Sequence, residues 1–391
     1  MLLCRSKGPV GLVQGLLLAL FMCGIANLAN AQQKPPVKLV LQITVDGLRG
    51  DLLRLYGDRF GKGGFRYLLE NGTQFANANY SHANTETIVG HATLATGAYP
   101  SSHGMVGNVW FDRETGELSY NIEDPDSPLL PSRGEKADAA QLDPSQKVSR
   151  TKGRSPVSIL ASTFSDELSV HTAGRSKIFA VAGKDRSAVS MAGHAGKAFW
   201  YSTDTGDYVT SRYYYDAYPD WVAKWNASRI AATHAGKSWE LLNAPSSYLL
   251  AKFDDRPYET DLRGYGRTFP HPFGRVDSKL FPTLLFVSPV GDQLTSSFAK
   301  TLIDNEALGQ GDAVDYLAVG FRRCHQPFLW SLQFGKRRYC FATRPHTGRL
   351  SFPCGSKSWP GKHIDRAIRR PWHAGNAGIH GGERHGHRAN S

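Results

Sequence analysis

From Val37 to Val45 the chain is almost uninterrupted apolar and β-branched sequence, and it breaks abruptly at Asp46-Gly47. A run of that length without polar alternation fits a strand covered on both faces, as in a parallel sheet between layers of helices. Ile178 to Ala182, Leu284 to Val287 and Tyr316 to Val319 read as further strands of the same kind. Helical stretches lie between them: Asp51 to Leu55, Phe65 to Glu70, Ile88 to Thr96, Pro156 to Val170 and Gly291 to Leu308. The Ile88 stretch is closed by Gly97 with Pro100 just beyond, and the last stretch carries Leu294, Phe298 and Leu302 on one face. This alternation predicts an α/β fold, a mostly parallel sheet sandwiched by helices. Ligands of such folds bind beyond the carboxyl ends of the strands.

The segment from Phe199 to about Pro282 has another character. Trp200, Tyr201, Tyr213, Tyr214, Tyr215, Tyr218, Trp221 and Trp225 crowd it, with turn signals such as Asp204-Thr205-Gly206. Hairpins and short helices inserted into the α/β body, as an aromatic-rich cap subdomain, are the natural reading. The aromatics themselves read as the core of that subdomain rather than as a binding platform.

At the N-terminus, Arg5 and Lys7 precede an apolar run from Val10 to Ala26, and Ala29-Asn30-Ala31 supplies a small-residue cleavage site. That order reads as a secretory signal peptide, giving a mature chain from about Gln32 in the periplasm or beyond, with no stable membrane association after cleavage. The net charge of +12 looks like a nucleic-acid signal until it is located. All of it lies between Arg322 and Ser391, which hold Asp365 and Glu383 as their only acids, while the rest of the chain is neutral. A nucleic-acid partner is therefore not expected for the body. Between Gly24 and Arg323 there is no cysteine, so the body needs no disulfide framework.

Two residues carry chemistry. Asp46 ends the first strand, where a carboxylate faces the ligand crevice, although taken alone it reads as an Asx turn. Thr87 precedes the Ile88 helix and taken alone reads as its N-cap. The chemical reading is a nucleophile at a helix N-terminus, where backbone N–H groups and the dipole favour an alkoxide and a phosphate. Threonine is a weak nucleophile and would need a metal to lower its pKa, and Asp46 offers a ligand for one.

The segments Ile43-Thr44-Val45-Asp46-Gly47, Thr85-Glu86-Thr87-Ile88-Val89-Gly90-His91, Ala95-Thr96-Gly97 and His103-Gly104-Met105-Val106-Gly107-Asn108 together resemble the alkaline phosphatase superfamily. They look most like its exported bacterial phosphatases with a threonine nucleophile, kin to the type I phosphodiesterases and nucleotide pyrophosphatases. The resemblance runs from about Val37 to Gly320. It implies two Zn2+ ions, with Asp46 and Thr87 on one of them, and a phosphothreonine intermediate formed on a small phosphate ester. Asn108 matches the residue that hydrogen-bonds a phosphoryl oxygen. Lys152-Gly153-Arg154 resembles the Lys-x-Arg pair of the monoesterase branch, and the same cations also read as part of a solvated basic loop with Arg150. Two cations just before a helix starting at Ser155-Pro156 suit an anion site.

The resemblance stops at Phe321. The remaining zinc ligands should follow there as an Asp-x-x-x-His motif, then an Asp-His pair after another strand, then a distant His. The chain instead reads Arg322-Arg323-Cys324-His325-Gln326-Pro327-Phe328, with no carboxylate until Asp365 and no sustained period of 2 or 3.6. Read one base later, with free choice among synonymous codons, Arg322 to Phe328 can encode Val-Ala-Ile-Ser-His-Phe. In the same frame, Lys362 to His373 can encode Asn-Thr-Leu-Ile-Val-Leu-Ser-Ala-Asp-His-Gly. These are the end of the first motif and a buried strand ending in the Asp-His pair. The expectation is a frameshift near Phe321, a fold lacking its C-terminal part, an exposed sheet edge and little or no activity.

The resulting organisation is 1–31 signal peptide, 32–198 first part of the α/β domain, 199–282 inserted cap, 283–321 continuation, and 322–391 basic non-native tail. The alternatives are a phosphodiesterase or nucleotide pyrophosphatase, or a non-catalytic protein whose tail, with His380, His385 and His387, binds metal or anions.

Overall fold

The computed structural model describes residues 36–48, 50–131, 146–241, 244–247, 255, 261 and 265–322. The leader and the basic tail, and with them the signal peptide and nearly all of the expected out-of-frame segment, lie outside the described residues. Contacts divide the chain into Met1–Val37 and Lys38–Ser391, and every strand and helix named below belongs to the second unit.

Among the described residues the main sheet holds β1 (Leu39–Asp46), β4 (Ile178–Ala182), β5 (Lys197–Tyr201), β6 (Tyr208–Val209) and β9 (Asp315–Arg322). Their order across the sheet is β1-β9-β4-β5-β6. The four strands β1, β9, β4 and β5 are mutually parallel, and β6 turns back antiparallel on β5. Hairpin β2 (Val109–Asp112) and β3 (Glu117–Tyr120), and the small pair β7 (Ser238–Trp239) and β8 (His271–Pro272), stand outside it. The helices in chain order are α1 (Leu52–Leu55), α2 (Phe65–Asn71), α3 (Thr87–Thr96), α4 (Pro100–His103), α5 (Phe164–His171), α6 (Asp185–Ala192), α7 (Asp220–Ala227), α8 (Phe281–Phe286) and α9 (Pro289–Asn305). The expected α/β class is the observed one.

The sheet works as a divider because strand side chains alternate between its faces. Phe179, Val181, Phe199, Tyr201, Leu317, Val319 and Phe321 point into one core, closed by α8 and α9. Ile178, Ala180, Ala182, Ala198, Trp200, Tyr316 and Ala318 point into the other, against α3 and α6. Burial on both faces is why these strands read as unbroken apolar runs. The strand β1 differs. Among the described residues it pairs only with β9, its residues are half-buried, and Ile43 is 37% exposed. A strand of interior composition thus has one neighbour among the described residues.

Three expectations change. Leu284 to Val287 is not a strand, because Phe281–Phe286 is a helix buried all round, started by Pro282 in its first turn. A short apolar run carries no period by which strand and buried helix can be told apart. The helix expected from Pro156 begins only at Phe164, where Thr163 and Asp166 form a capping box. The segment before it makes a turn, with Ile159 N donating to Pro156 O at 2.8 Å. Finally, Phe199 to Tyr201 belongs to β5 of the central sheet, so the aromatic segment joins the main core from its start. Its aromatics are core residues. Phe298 of α9 stacks on Tyr208 at 4.1 Å between centroids and meets Trp221 and Trp225 at 5.1 and 5.5 Å. No helix among the described residues is long and apolar enough to cross a membrane.

Asp166 ties α5 to the loop after α6. Its carboxylate accepts from the amides of Thr163, His194 and Ala195, each at 2.8 Å, and from His194 Nδ1 at 2.9 Å. Burial pushes this carboxyl up, but the His194 and backbone hydrogen bonds outweigh it and hold the pKa at about 2. The hydrogen bond to Asp166 raises His194 in return. The carboxyl's contribution is present above its ordinary pKa and fades as pH falls toward about 2. That of His194 is full below its ordinary pKa and fades as pH rises through its raised one. Asp166→Asn should therefore cost about 1–2 kcal/mol near pH 5.5 in urea unfolding, with a smaller deficit near pH 2.5 and near pH 9.

Candidate active site

The carboxyl end of β1 and the junction after β4 open on the same crevice, because β9 bridges the two strands and pairs Asp46 with Arg322 and Ala182 with Gly320. Asp46 is the last residue of β1, and Lys184 follows β4 as the residue before α6. The Lys184 ammonium donates to Asp46 Oδ2 and, at 3.2 Å, lies within hydrogen-bond reach of Thr87 Oγ1. One cation thus joins the two residues that the sequence singled out. Burial pushes the Asp46 carboxyl up, but Lys184, His91 and Arg186 together bring it well below the ordinary carboxylate range. Asp46 is held ionised.

Thr87 is the first residue of α3, after Glu86 in the cap position, and not the N-cap itself. Its hydroxyl is therefore not spent on the helix amides. Asn108 takes that task from outside, its Oδ1 accepting from Ile88 N at 3.2 Å. Asn108 reaches this place because its own amide donates to Glu86 Oε2, while Asn84 Nδ2 donates to Val106 O at 2.7 Å. Fully buried His103 completes the clamp. Its Nδ1 accepts from Met105 N at 3.1 Å, so Nε2 carries the proton and donates to Thr93 Oγ1 at 3.1 Å on α3. His91 lies under the site with Nδ1 on Thr87 O at 2.8 Å, and burial lowers its pKa. Gly97 ends the helix at φ +67°, a conformation that suits glycine.

Lys152 and Arg154 reach the crevice by another route. They line, with Lys184 and Asp185, a cavity of about 80 Å³. The guanidinium of Arg154 is buried, with Nε on Asp185 Oδ2 at 2.9 Å and the Tyr120 ring 4.8 Å from its carbon. Tyr120 Oη donates to the other oxygen of Asp185 at 2.8 Å. The helix expected directly behind the pair is absent, and the helix N-terminus facing Arg154 is that of α6, whose first-turn Asp185 already satisfies it. The solvated-loop alternative does not hold for Arg154, which is 7% exposed. Gly153 sets the geometry, since Asp124 N donates to Gly153 O at 3.1 Å and Arg154 N to Ser127 O at 3.0 Å. A Cβ at Gly153 would lie 1.7 Å from Asp124 O.

The structure thus links Asp46 to Thr87 through Lys184, sets Asn108 on the amide of Ile88 next to Thr87, and relates Lys152 and Arg154 to them through the cavity that Lys184 shares. Sequence reasoning missed Lys184, Asp185 and Arg186. Their place immediately after the Ile178 to Ala182 strand was a usable signal, because that is where sheet ligands bind. A larger cavity of about 400 Å³, bounded by Asp207, Trp225, Arg229 and Lys279, involves none of the predicted site residues.

The donor set falls short of the two zinc ions that the resemblance implies. Asp46 and Thr87 supply one carboxylate and one hydroxyl, and their shared neighbour is an ammonium. No group of three His, Cys, Asp or Glu side chains suited to a metal occurs among the described residues. The residues present do not fit a two-zinc centre, for which about four donors per ion are normal.

Gly153→Ala should cost at least about 2–3 kcal/mol in urea unfolding, because the clash is with backbone that cannot move aside.

Comparison with known proteins bears on the family and the fold. The family described as type I phosphodiesterase / nucleotide pyrophosphatase matches residues 40–305. The chain is 33% identical over 315 residues to the alkaline phosphatase PhoV of Synechococcus elongatus, covering 77% of this chain and 54% of PhoV. It is also 33% identical to a calcium-transporting ATPase of Myroides odoratus (75% and 52% covered) and 31% identical to the alkaline phosphatase PafA of Elizabethkingia meningoseptica (78% and 54%). The chain therefore spans about half the length of these relatives. The crystal structure of PafA superposes with a TM-score of 0.67 at 27% identity, covering 80% of this chain and 58% of PafA. A further PafA structure carries substitutions at a threonine and an asparagine 21 positions apart, and at a lysine and an arginine two positions apart. The chain belongs to the type I phosphodiesterase / nucleotide pyrophosphatase family, within the alkaline phosphatase superfamily.

Proposed function

We propose that this chain descends from an exported alkaline-phosphatase-type hydrolase of phosphate monoesters, with Thr87 as nucleophile, and that as written it is impaired. The observation that carries the reading is the Thr87 hydroxyl at the first position of α3, free of capping duty and held beside an ionised Asp46. Thr87 and Asn108 are 21 positions apart and Lys152 and Arg154 two, the residue types and spacings altered in the PafA variant. In this reading Thr87 Oγ1 attacks phosphorus as the ester's P–O bond breaks and the alcohol leaves with a proton. Water then cleaves the phosphothreonine to phosphate and free Thr87, while Asn108 holds a phosphoryl oxygen and Lys152 and Arg154 neutralise the remaining oxygens. A monoester dianion carries more charge than a diester, so two cations favour monoesters over the diesters from which the family takes its name.

The family resemblance assigns the activating chemistry to two zinc ions, and the residues present do not fit them. The missing ligands are the reason for the proposed impairment, and a frameshift near Phe321 is the proposed cause. The periplasmic or secreted location rests on the leader alone.

The test uses two proteins, the chain as written and one with the frame restored after Phe321. The first should show no hydrolysis of an aryl phosphate above background, and zinc-dependent turnover by it would contradict the impairment. The second should turn over the ester, lose at least about 10³-fold in rate with Thr87→Ala, and lose about 10–100-fold on monoesters with Lys152→Ala or Arg154→Ala. A restored protein indifferent to Thr87→Ala would overturn the nucleophile assignment. Equal losses on diesters for the Lys152 and Arg154 variants would favour the phosphodiesterase reading.

A further inference from the structure

The sequence pattern assigns Lys184 no role, yet its ammonium lies where the site's charges meet. It bonds Asp46 Oδ2, and the Thr87 hydroxyl is 3.2 Å away. The pair is largely withdrawn from water, with side-chain exposures of 14% for Lys184 and 21% for Asp46. A carboxylate so placed needs a cation, because an uncompensated charge is costly once its water is removed. The other basic groups near it have partners of their own. His91 sets its Nδ1 on Thr87 O at 2.8 Å, and its Nε2 has no hydrogen-bond partner among the described residues. Arg186 bonds Tyr120 Oη at 3.2 Å.

We propose that Lys184 is the resident counter-cation of the Asp46–Thr87 pair in this chain, so that its ammonium and a divalent metal ion exclude each other from the same place. The proposal rests on Asp46 and Thr87 forming one site, but not on Thr87 acting as a nucleophile. Its physical basis is twofold. The ammonium occupies with N–H bonds the oxygen lone pairs that a metal would need, and two cations at one carboxylate repel each other. Lys184 can hold this position because the turn from β4 into α6 fixes its backbone, while Asp185 and Arg186 anchor the following helix turn to Tyr120.

The test is a thermal-unfolding cycle on the full chain with Lys184→Met, Asp46→Asn and the double variant, each with and without millimolar zinc chloride. Lys184→Met alone should lower the melting temperature by about 4 °C or more, and Asp46→Asn in the same chain should recover most of that loss. Zinc should raise the melting temperature of Lys184→Met, yet leave the double variant where it was. Any zinc binding by tail histidines is common to all four proteins and cancels in the comparison. Three results would overturn the proposal: Lys184→Met melting with the parent, a loss equally large in the Asp46→Asn background, or an Asp46-dependent zinc shift as large in the parent as in Lys184→Met. If Lys184→Met does not fold, folding of the double variant supports the pairing, and failure of both overturns it. Because the readout is stability, its outcome is independent of the Thr87→Ala turnover test.

Discussion

β9 holds the site together. It is the strand through which β1 and β4 share one sheet, and its pairing with both sets the carboxyl ends of those strands side by side. Asp46 comes from one neighbour and Lys184 from beyond the other, so the contact between them is a consequence of β9. The strand ends at Arg322, the last of the described residues. Arg322 is still accommodated, its amide donating to Asp292 Oδ1 at 2.7 Å and its guanidinium to Phe286 O at 3.1 Å. The described residues thus keep the sheet that sets Asp46 and Lys184 side by side.

Among the described residues the crevice gathers cations, and no group of three side chains suited to a metal. Lys152, Arg154 and Lys184 line one cavity, and the N-terminus of α3 presents Thr87 beside it. Those groups all precede Phe321 in sequence. Among them, Lys184 is the cation bonded to Asp46.

Much of the fold was legible in the sequence because β4 and β9 are buried on both faces and so read as continuous apolar runs. The α3 boundaries were legible from Gly97, and the apolar face of α9 from Leu294, Phe298 and Leu302. What was not legible depended on partners distant in sequence. The Phe281–Phe286 helix is apolar all round because α9 and the sheet enclose it, which erases the period that would have marked it. The delayed start of α5 depends on Asp166, whose carboxylate is claimed by His194 and Ala195, 28 and 29 positions away. In the site, Asp46, Thr87 and Asn108 were recognisable through their neighbours in sequence. Lys184 was not, because its significance lies in contacts spanning 138 and 97 positions.

High-coverage sequencing of genomic DNA across the codons for Gly311 to Trp330, extended to His373, tests most directly whether a phosphatase body has lost its reading frame near Phe321. The predicted result is a set of codons that, read one base later, spell the histidine motif after Phe321 and the Asp-His strand opposite Lys362 to His373. Codons that yield neither peptide in the shifted frame would contradict the loss of frame, and the basic tail would then be the protein's own.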